Sequence, residues 1–192
     1  MIVVIKYNAG NITSIKNAVE RLGYECKISG DENEIINADK IIFPGVGEAS
    51  SAMKYLKENN LDVLIKSLKQ PVLGICLGLQ LLCKYSEEGN TDSLGIFDTI
   101  IKKFPPKDLV PHMGWNNLQN LKGNLFNAIN SNDNFYFVHS YYAEISNETT
   151  AICDYILPFS AALQKNNFYA TQFHPEKSAG VGEIILQNFL RL

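Results

Sequence analysis

Pro71-Val72-Leu73-Gly74-Ile75-Cys76-Leu77-Gly78-Leu79-Gln80 decides the fold. Val72 to Ile75 is a short apolar run, the pattern of a strand buried on both faces. Leu77 to Tyr85 then reads as a helix. Cys76 stands at the junction, held between Gly74 and Gly78. A strand that turns sharply into a helix presents one side chain at its apex, and small flanking residues relieve the crowding. That is the logic of the Gly-x-Ser-x-Gly nucleophile elbow, with sulfur in place of oxygen. The N–H groups and positive dipole end of the following helix favour a thiolate there. An isolated cysteine after an apolar strand is more often a packing residue. Two things change that reading here: the glycine-flanked setting, and Phe173-His174-Pro175-Glu176 far downstream. His174 can take the thiol proton, and Glu176 can orient and charge-stabilise the imidazole. Cys26, Cys83 and Cys153 lack such settings and read as structural.

Outward from this junction, the first half alternates strand and helix. Ile2 to Lys6, Glu25 to Ile28 and Lys40 to Phe43 read as strands. Asn11 can cap a helix over Ile12 to Leu22. A second helix starts near Ala49, with Met53, Leu56 and Lys57 in register. A third starts at Leu61, with Leu64, Ile65 and Leu68 spaced for burial. Apolar strands separated by helices imply a parallel sheet covered on both faces. The second half is rich in aromatic and β-branched runs. Ile96 to Phe104, Phe135 to Ile145, Ala151 to Tyr155, Ala161 to Lys165 and Phe168 to Gln172 read as strands. Gly182 to Leu190 returns to helical periodicity, and Ser86 to Ser93 and Asn130 to Asn134 read as loops. The expected fold is α/β: a mostly parallel central sheet flanked by helices, with additional antiparallel strands in the second half. One domain over residues 1–192 is expected.

Composition narrows the chemistry. The chain has 192 residues, 46% hydrophobic and 19% charged, which is ordinary for a globular protein with a substantial core. A formal charge of −3 and the lack of a basic cluster give no nucleic-acid footprint. No apolar stretch approaches the ~20 residues that span a bilayer. Met1 to Lys6 reads as a first strand rather than a signal peptide. The cysteines form no CxxC pair, so a reducing cytoplasm is the expected setting. His112, His139 and His174 lack metal-ligand spacing, so neither a metal nor a cofactor is expected.

With these residues in view, the chain resembles the class I, triad-type glutamine amidotransferases, which have a flavodoxin-like fold. Within that class it is similar to the glutaminase subunits of imidazole glycerol phosphate synthase. The resemblance runs from end to end. It rests on Asn8-Ala9-Gly10-Asn11, Pro44-Gly45-Val46-Gly47, the Gly74 to Gln80 stretch, Pro111-His112-Met113-Gly114-Trp115-Asn116, Val138-His139-Ser140-Tyr141 and Gln172 to Ser178. It implies that Cys76 attacks the γ-amide carbon of glutamine and becomes a γ-glutamyl thioester. His174 is the implied general base and acid, oriented by Glu176. The tetrahedral intermediates need two N–H donors, implied to be Leu77 and the Val46–Gly47 loop. Glycines in that loop make peptide reorientation cheap, so the hole can be switched. Gly47, Gln80, Ser140 and Tyr141 are the implied glutamine contacts. Asn11, Met113 and Trp115 are implied to meet a cyclase subunit, with which the chain forms a heterodimer. The cyclase would use the ammonia to make imidazole glycerol phosphate and an aminoimidazole carboxamide ribotide, in histidine biosynthesis. Lys6-Tyr7-Asn8 departs from the family's usual Asp-Tyr-Gly.

Each of these residues also has a bland reading. Pro44 to Gly47 alone is a turn, Gln80 a helix polar residue, and Asn11 a simple cap. A lone tryptophan such as Trp115 is usually core. Two other functions stay open on sequence alone. One is an ammonia supplier to a sugar-modifying synthetase. The other is a non-catalytic binding subunit, which the intact Cys76, His174 and Glu176 argue against.

Overall fold

Ile2, Val3, Val4 and Ile5 are all buried, and they alternate between two hydrophobic layers. Ile2 and Val4 join one layer, Val3 and Ile5 the other. A strand buried on both faces lies inside a sandwich of helices, as its unbroken apolar sequence requires. The computed structural model describes residues 1–8 and 11–192; Ala9 and Gly10 of the Asn8 to Asn11 motif lie outside the described residues.

In chain order the strands are β1 (Ile2–Ile5), β2 (Cys26–Ser29), β3 (Lys40–Phe43), β4 (Val72–Ile75), β5 (Cys83–Ser86), β6 (Thr91–Asp92) and β7 (Phe97–Lys103). They continue as β8 (His112–Asn117), β9 (Asn134–His139), β10 (Tyr141–Ala143), β11 (Thr149–Asp154), β12 (Pro158–Lys165) and β13 (Phe168–Thr171). The α-helices are α1 (Ile12–Arg21), α2 (Glu32–Ile36), α3 (Ala49–Glu58), α4 (Leu61–Ser67), α5 (Leu77–Leu82) and α6 (Ala179–Leu190). The main sheet runs β2-β1-β3-β4-β13-β12-β10-β7-β5-β6, with β11 paired to β12. From β2 to β13 every pairing is parallel. β12 then runs antiparallel to β13, β10 and β11. On one face α1 and α6 pack through Ile15, Val19, Ile185 and Phe189. On the other, α3, α4 and α5 pack through Met53, Leu56, Ile65 and Leu81. β8 and β9 form a separate antiparallel pair. Among the described residues no helix is long and apolar enough to cross a membrane.

The α/β class and the mostly parallel sheet with antiparallel additions are as expected from sequence. Several details differ. The helix after Cys76 stops at Leu82 instead of Tyr85, because Cys83 turns extended and β5 pairs with β7. The run Phe135 to Ile145 splits at Ser140 into β9 and β10, which lie in different sheets. The last helix starts three residues earlier, at Ala179. Lys57 is exposed, and Ala49 and Ala52 complete the buried face of α3 instead. The stretch Ser86 to Ser93 contains β6. Periodicity gives no sign of α2 or β8.

Candidate active site

β4 and β13 are parallel neighbours, with Ile75 opposite Thr171. The residues just beyond each strand therefore emerge together at the carboxyl edge of the sheet, where α/β sheets bind ligands. Cys76 follows β4, and its N–H donates to the Thr171 carbonyl at 2.8 Å. His174 follows β13, and its N–H donates to the Tyr136 carbonyl at 2.9 Å. Ser178 Oγ donates to the His174 carbonyl at 2.7 Å and pins the turn from below.

Cys76 has φ 55° and ψ −109°, a conformation that L residues rarely adopt. Such strain costs of order 1–3 kcal/mol and persists only where the surroundings enforce it. Here they do. A Cβ on Gly78 would lie 2.1 Å from the Phe43 carbonyl oxygen, and one on Gly45 would lie 2.6 Å from the Gly78 nitrogen. The elbow is thus wedged against the end of β3 and the Pro44 to Gly47 loop. Tyr7 Oη holds that loop by donating to the Pro44 carbonyl at 2.6 Å. Gly47 takes φ 111°, a positive value suited to glycine.

His174 and Glu176 are both buried at the side chain, 2% and 1% exposed, and His174 Nδ1 meets Glu176 Oε1 at 2.9 Å. This contact sets the carboxylate against the imidazole nitrogen away from Cys76. Among the described residues buried His174 Nε2 has no hydrogen-bond partner, which leaves it open to transfer chemistry. Burial alone would disfavour the imidazolium, but Cys76 and Glu176 outweigh it and raise the His174 pKa to about 10.

Cys76 and His174 line one cavity of about 440 Å³. Val46, Gly47, Leu77, Gln80, Ser140 and Tyr141, all singled out from sequence, line it too. So do Pro111, Val138, His139 and Glu88. Glu88 lies in a stretch that reads as loop; one of its oxygens accepts from the Ala49 N–H at 2.8 Å, and burial raises its carboxyl pKa. Gln80 is 5% exposed, and both hydrogens of its amide are committed. They go to the Tyr141 carbonyl at 3.1 Å and to Gln172 Oε1 at 3.0 Å. Gln172, which the sequence marks only as the start of the motif around His174, donates in turn to Cys76 Sγ at 3.6 Å. His139 Nδ1 reaches the same Tyr141 carbonyl at 2.7 Å, and His139 Nε2 meets His112 Nδ1 at 3.1 Å. Among the described residues no group of histidine, cysteine, aspartate and glutamate side chains could hold a metal ion.

The candidate partner residues lie apart from the cavity lining. Met113 and Trp115, on β8, are 64% and 55% exposed, so Trp115 is not the core residue a lone tryptophan usually is. Its ring meets Tyr136 edge-on across the β8–β9 pair, with centroids 5.9 Å apart. Asn11 stands at the N-cap position of α1, but its side chain makes no capping bond. Nδ2 instead reaches Glu176 Oε1 at 3.4 Å, and Oδ1 accepts from Ser14 Oγ. The capping reading of Asn11 fails: its backbone is left-handed, with φ 64°, rather than extended as in a usual N-cap, and its Oδ1 is taken by the Ser14 hydroxyl.

The family model for glutamine amidotransferase class-I matches residues 3–192. The chain is 58% identical to imidazole glycerol phosphate synthase subunit HisH of Bacteroides fragilis strain YCH46, over 100% of this chain and 99% of that one. Against the subunit of the same name from Escherichia coli K12 the identity is 47%, with the same coverage. Among solved structures, a glutamine amidotransferase superposes with a TM-score of 0.75. Its sequence is 18% identical, and the match covers 99% of this chain and 97% of that one. PurLQS from Thermotoga maritima gives 0.72 at 16% identity, covering 99% and 97%. These two likenesses speak for the fold alone.

Proposed function

The chain belongs to the class I glutamine amidotransferases and, within them, to the HisH subunits of imidazole glycerol phosphate synthase, and from that membership we propose that Cys76, His174 and Glu176 carry out its glutamine hydrolysis. As that glutaminase subunit it passes ammonia to a cyclase subunit in histidine biosynthesis. The observation that carries the residue assignment is the shared cavity. Cys76 and His174 line it together, and Glu176 holds the far side of the imidazole.

In this reading Cys76 Sγ, its proton passed to His174, attacks the γ-amide carbon of glutamine, and the carbonyl electron pair moves onto oxygen. The N–H groups of Leu77 and of Val46 or Gly47 receive that charge. When the intermediate collapses, the C–N bond breaks, and His174 gives its proton to the departing ammonia. Now neutral, His174 takes a proton from water, whose oxygen attacks the thioester carbon. Collapse expels the sulfur and leaves glutamate, with the proton back on His174. Glutamine and water have become glutamate and ammonia. Glu88 is placed to receive the α-ammonium of glutamine, with Gly47, Gln80, Ser140 and Tyr141 around the rest of the substrate. Asn11, Met113 and Trp115 belong to the cyclase-facing side in this reading; the exposure of Met113 and Trp115 supports it.

Relatives at 47% and 58% identity over the full chain favour histidine biosynthesis over supply to a sugar-modifying synthetase. We read residues 1–192 as one amidotransferase domain, which the family match over 3–192 supports. A reducing cytoplasm suits its four free, buried cysteines. The deciding experiment is Cys76→Ala in complex with the cyclase. It should lose glutamine-dependent turnover and keep turnover driven by added ammonium salts. Substantial glutamine-dependent turnover by the variant would overturn the assignment.

A further inference from the structure

The amide of Gln172 cannot choose which end it turns to Cys76. The Tyr141 carbonyl only accepts, and it takes His139 Nδ1 at 2.7 Å and Gln80 Nε2 at 3.1 Å. Gln80 must therefore present its NH2 group. The second hydrogen of that group goes to Gln172 Oε1 at 3.0 Å. With Oε1 committed as an acceptor, Gln172 turns its own NH2 to the sulfur, 3.6 Å away. The histidines repeat the same polarity. His139 Nδ1 carries the hydrogen, so Nε2 accepts from His112 Nδ1–H. One acceptor-only carbonyl thus orders the network, and an N–H ends up facing the nucleophile. Gln172 is fully buried and its backbone N–H is held by the Ala161 carbonyl, so the residue has no water to turn toward.

We propose that Gln172 is a further catalytic residue of glutamine hydrolysis, whose side-chain N–H stabilises negative charge on Cys76 Sγ before attack and again when the sulfur is expelled from the thioester. The proposal rests on the reading of Cys76 as nucleophile. The sulfur also lies 3.9 Å from the Val138 carbonyl oxygen. That oxygen can accept from an S–H but offers nothing to a thiolate. The Gln172 bond does the reverse, since a hydrogen bond to an ionised acceptor is about twice as strong as a neutral one.

A purely structural Gln172, present only to satisfy Gln80, makes different predictions. Gln172→Met fills similar space and has no donor. Gln172→Glu keeps the shape and still accepts from Gln80, but when ionised it sets a negative charge beside the sulfur. A structural role makes Glu the milder change, whereas a charge-stabilising role makes it the harsher. The test is alkylation of the full chain by iodoacetamide across a range of pH, with Cys76→Ala as the blank. Burial pushes the competing thiols up, Cys26 to about 11, Cys153 to about 12 and Cys83 also upward, which keeps the readout on Cys76. For Gln172→Met the alkylation curve should move to higher pH by about one unit, with a roughly ten-fold loss in kcat and little change in KM. Gln172→Glu should move it further. Gln80→Leu, which leaves Gln172 in place but frees its amide to turn, should move it the same way. Ammonia-driven turnover with the cyclase should persist in all three, establishing that they fold and dock. If the curves superpose on the parent's, or Glu is milder than Met, Gln172 is structural. If Cys76→Ala still hydrolyses glutamine, the nucleophile assignment fails instead.

Discussion

Asn11 Nδ2 donates to Glu176 Oε1 at 3.4 Å, and this is the same oxygen that meets His174 Nδ1 at 2.9 Å. The residue that opens α1 therefore touches the carboxylate bonded to His174. Asn11→Ala removes one hydrogen bond and leaves the ion pair, so kcat for glutamine should fall about two- to ten-fold with KM nearly unchanged. Glu176→Gln keeps an acceptor but loses the charge, and it should cost more. His174→Asn removes proton transfer and should cost about 10²–10⁴-fold. Steady-state glutaminase assays of the three variants with the cyclase bound give the ranking. Asn11→Ala proving as damaging as His174→Asn would contradict it.

Glu88 gives a prediction about binding rather than turnover. Its carboxylate lines the cavity with one oxygen tied to Ala49 N–H. Glu88→Gln preserves that bond and removes the charge that would meet the glutamine ammonium. KM should rise about ten-fold or more while kcat changes little. An unchanged KM would remove Glu88 from the glutamine site.

Trp115 is more than half exposed on β8, a strand position from which a large ring can anchor a partner. Central aromatic anchors cost about 2 kcal/mol or more when truncated, so Trp115→Ala should weaken cyclase binding by at least about thirty-fold. Titration calorimetry measures it. The variant should keep the melting temperature of the isolated parent chain, because the ring packs mainly against Tyr136 at the surface.

His112 and His139 make stability depend on pH in a defined direction. Burial lowers their pKa values to about 4 and about 3, from an ordinary 6.5. The unfolded chain therefore binds protons below about 6.5 that the folded chain refuses. The contribution of these two histidines to stability is full above that pH and is lost as pH falls toward about 4. Melting temperature measured from about pH 7.5 down to about pH 4.5 should drop steeply, and His112→Asn should flatten the slope. A slope unchanged by that substitution would mean that other groups carry the acid response.

The sequence by itself determined the first four strands, the junction at Cys76, the pairing of His174 with Glu176 and most of the residues around the cavity. Those features are written locally, in unbroken apolar runs, in glycines at positions where a Cβ would come within 2.1 Å and 2.6 Å of neighbouring backbone, and in a His-x-Glu spacing that closes one contact. Only the tertiary structure decided that Phe135 to Ile145 divides between two sheets and that the helix after Cys76 ends at Leu82. In both places a distant partner strand competes with local preference. The tertiary structure also brought Gln172 and Glu88 to the cavity and set Asn11 within reach of Glu176. A buried amide gains its role from the direction its neighbours impose, and those neighbours, Gln80 and Tyr141, lie 92 and 31 residues away in the chain.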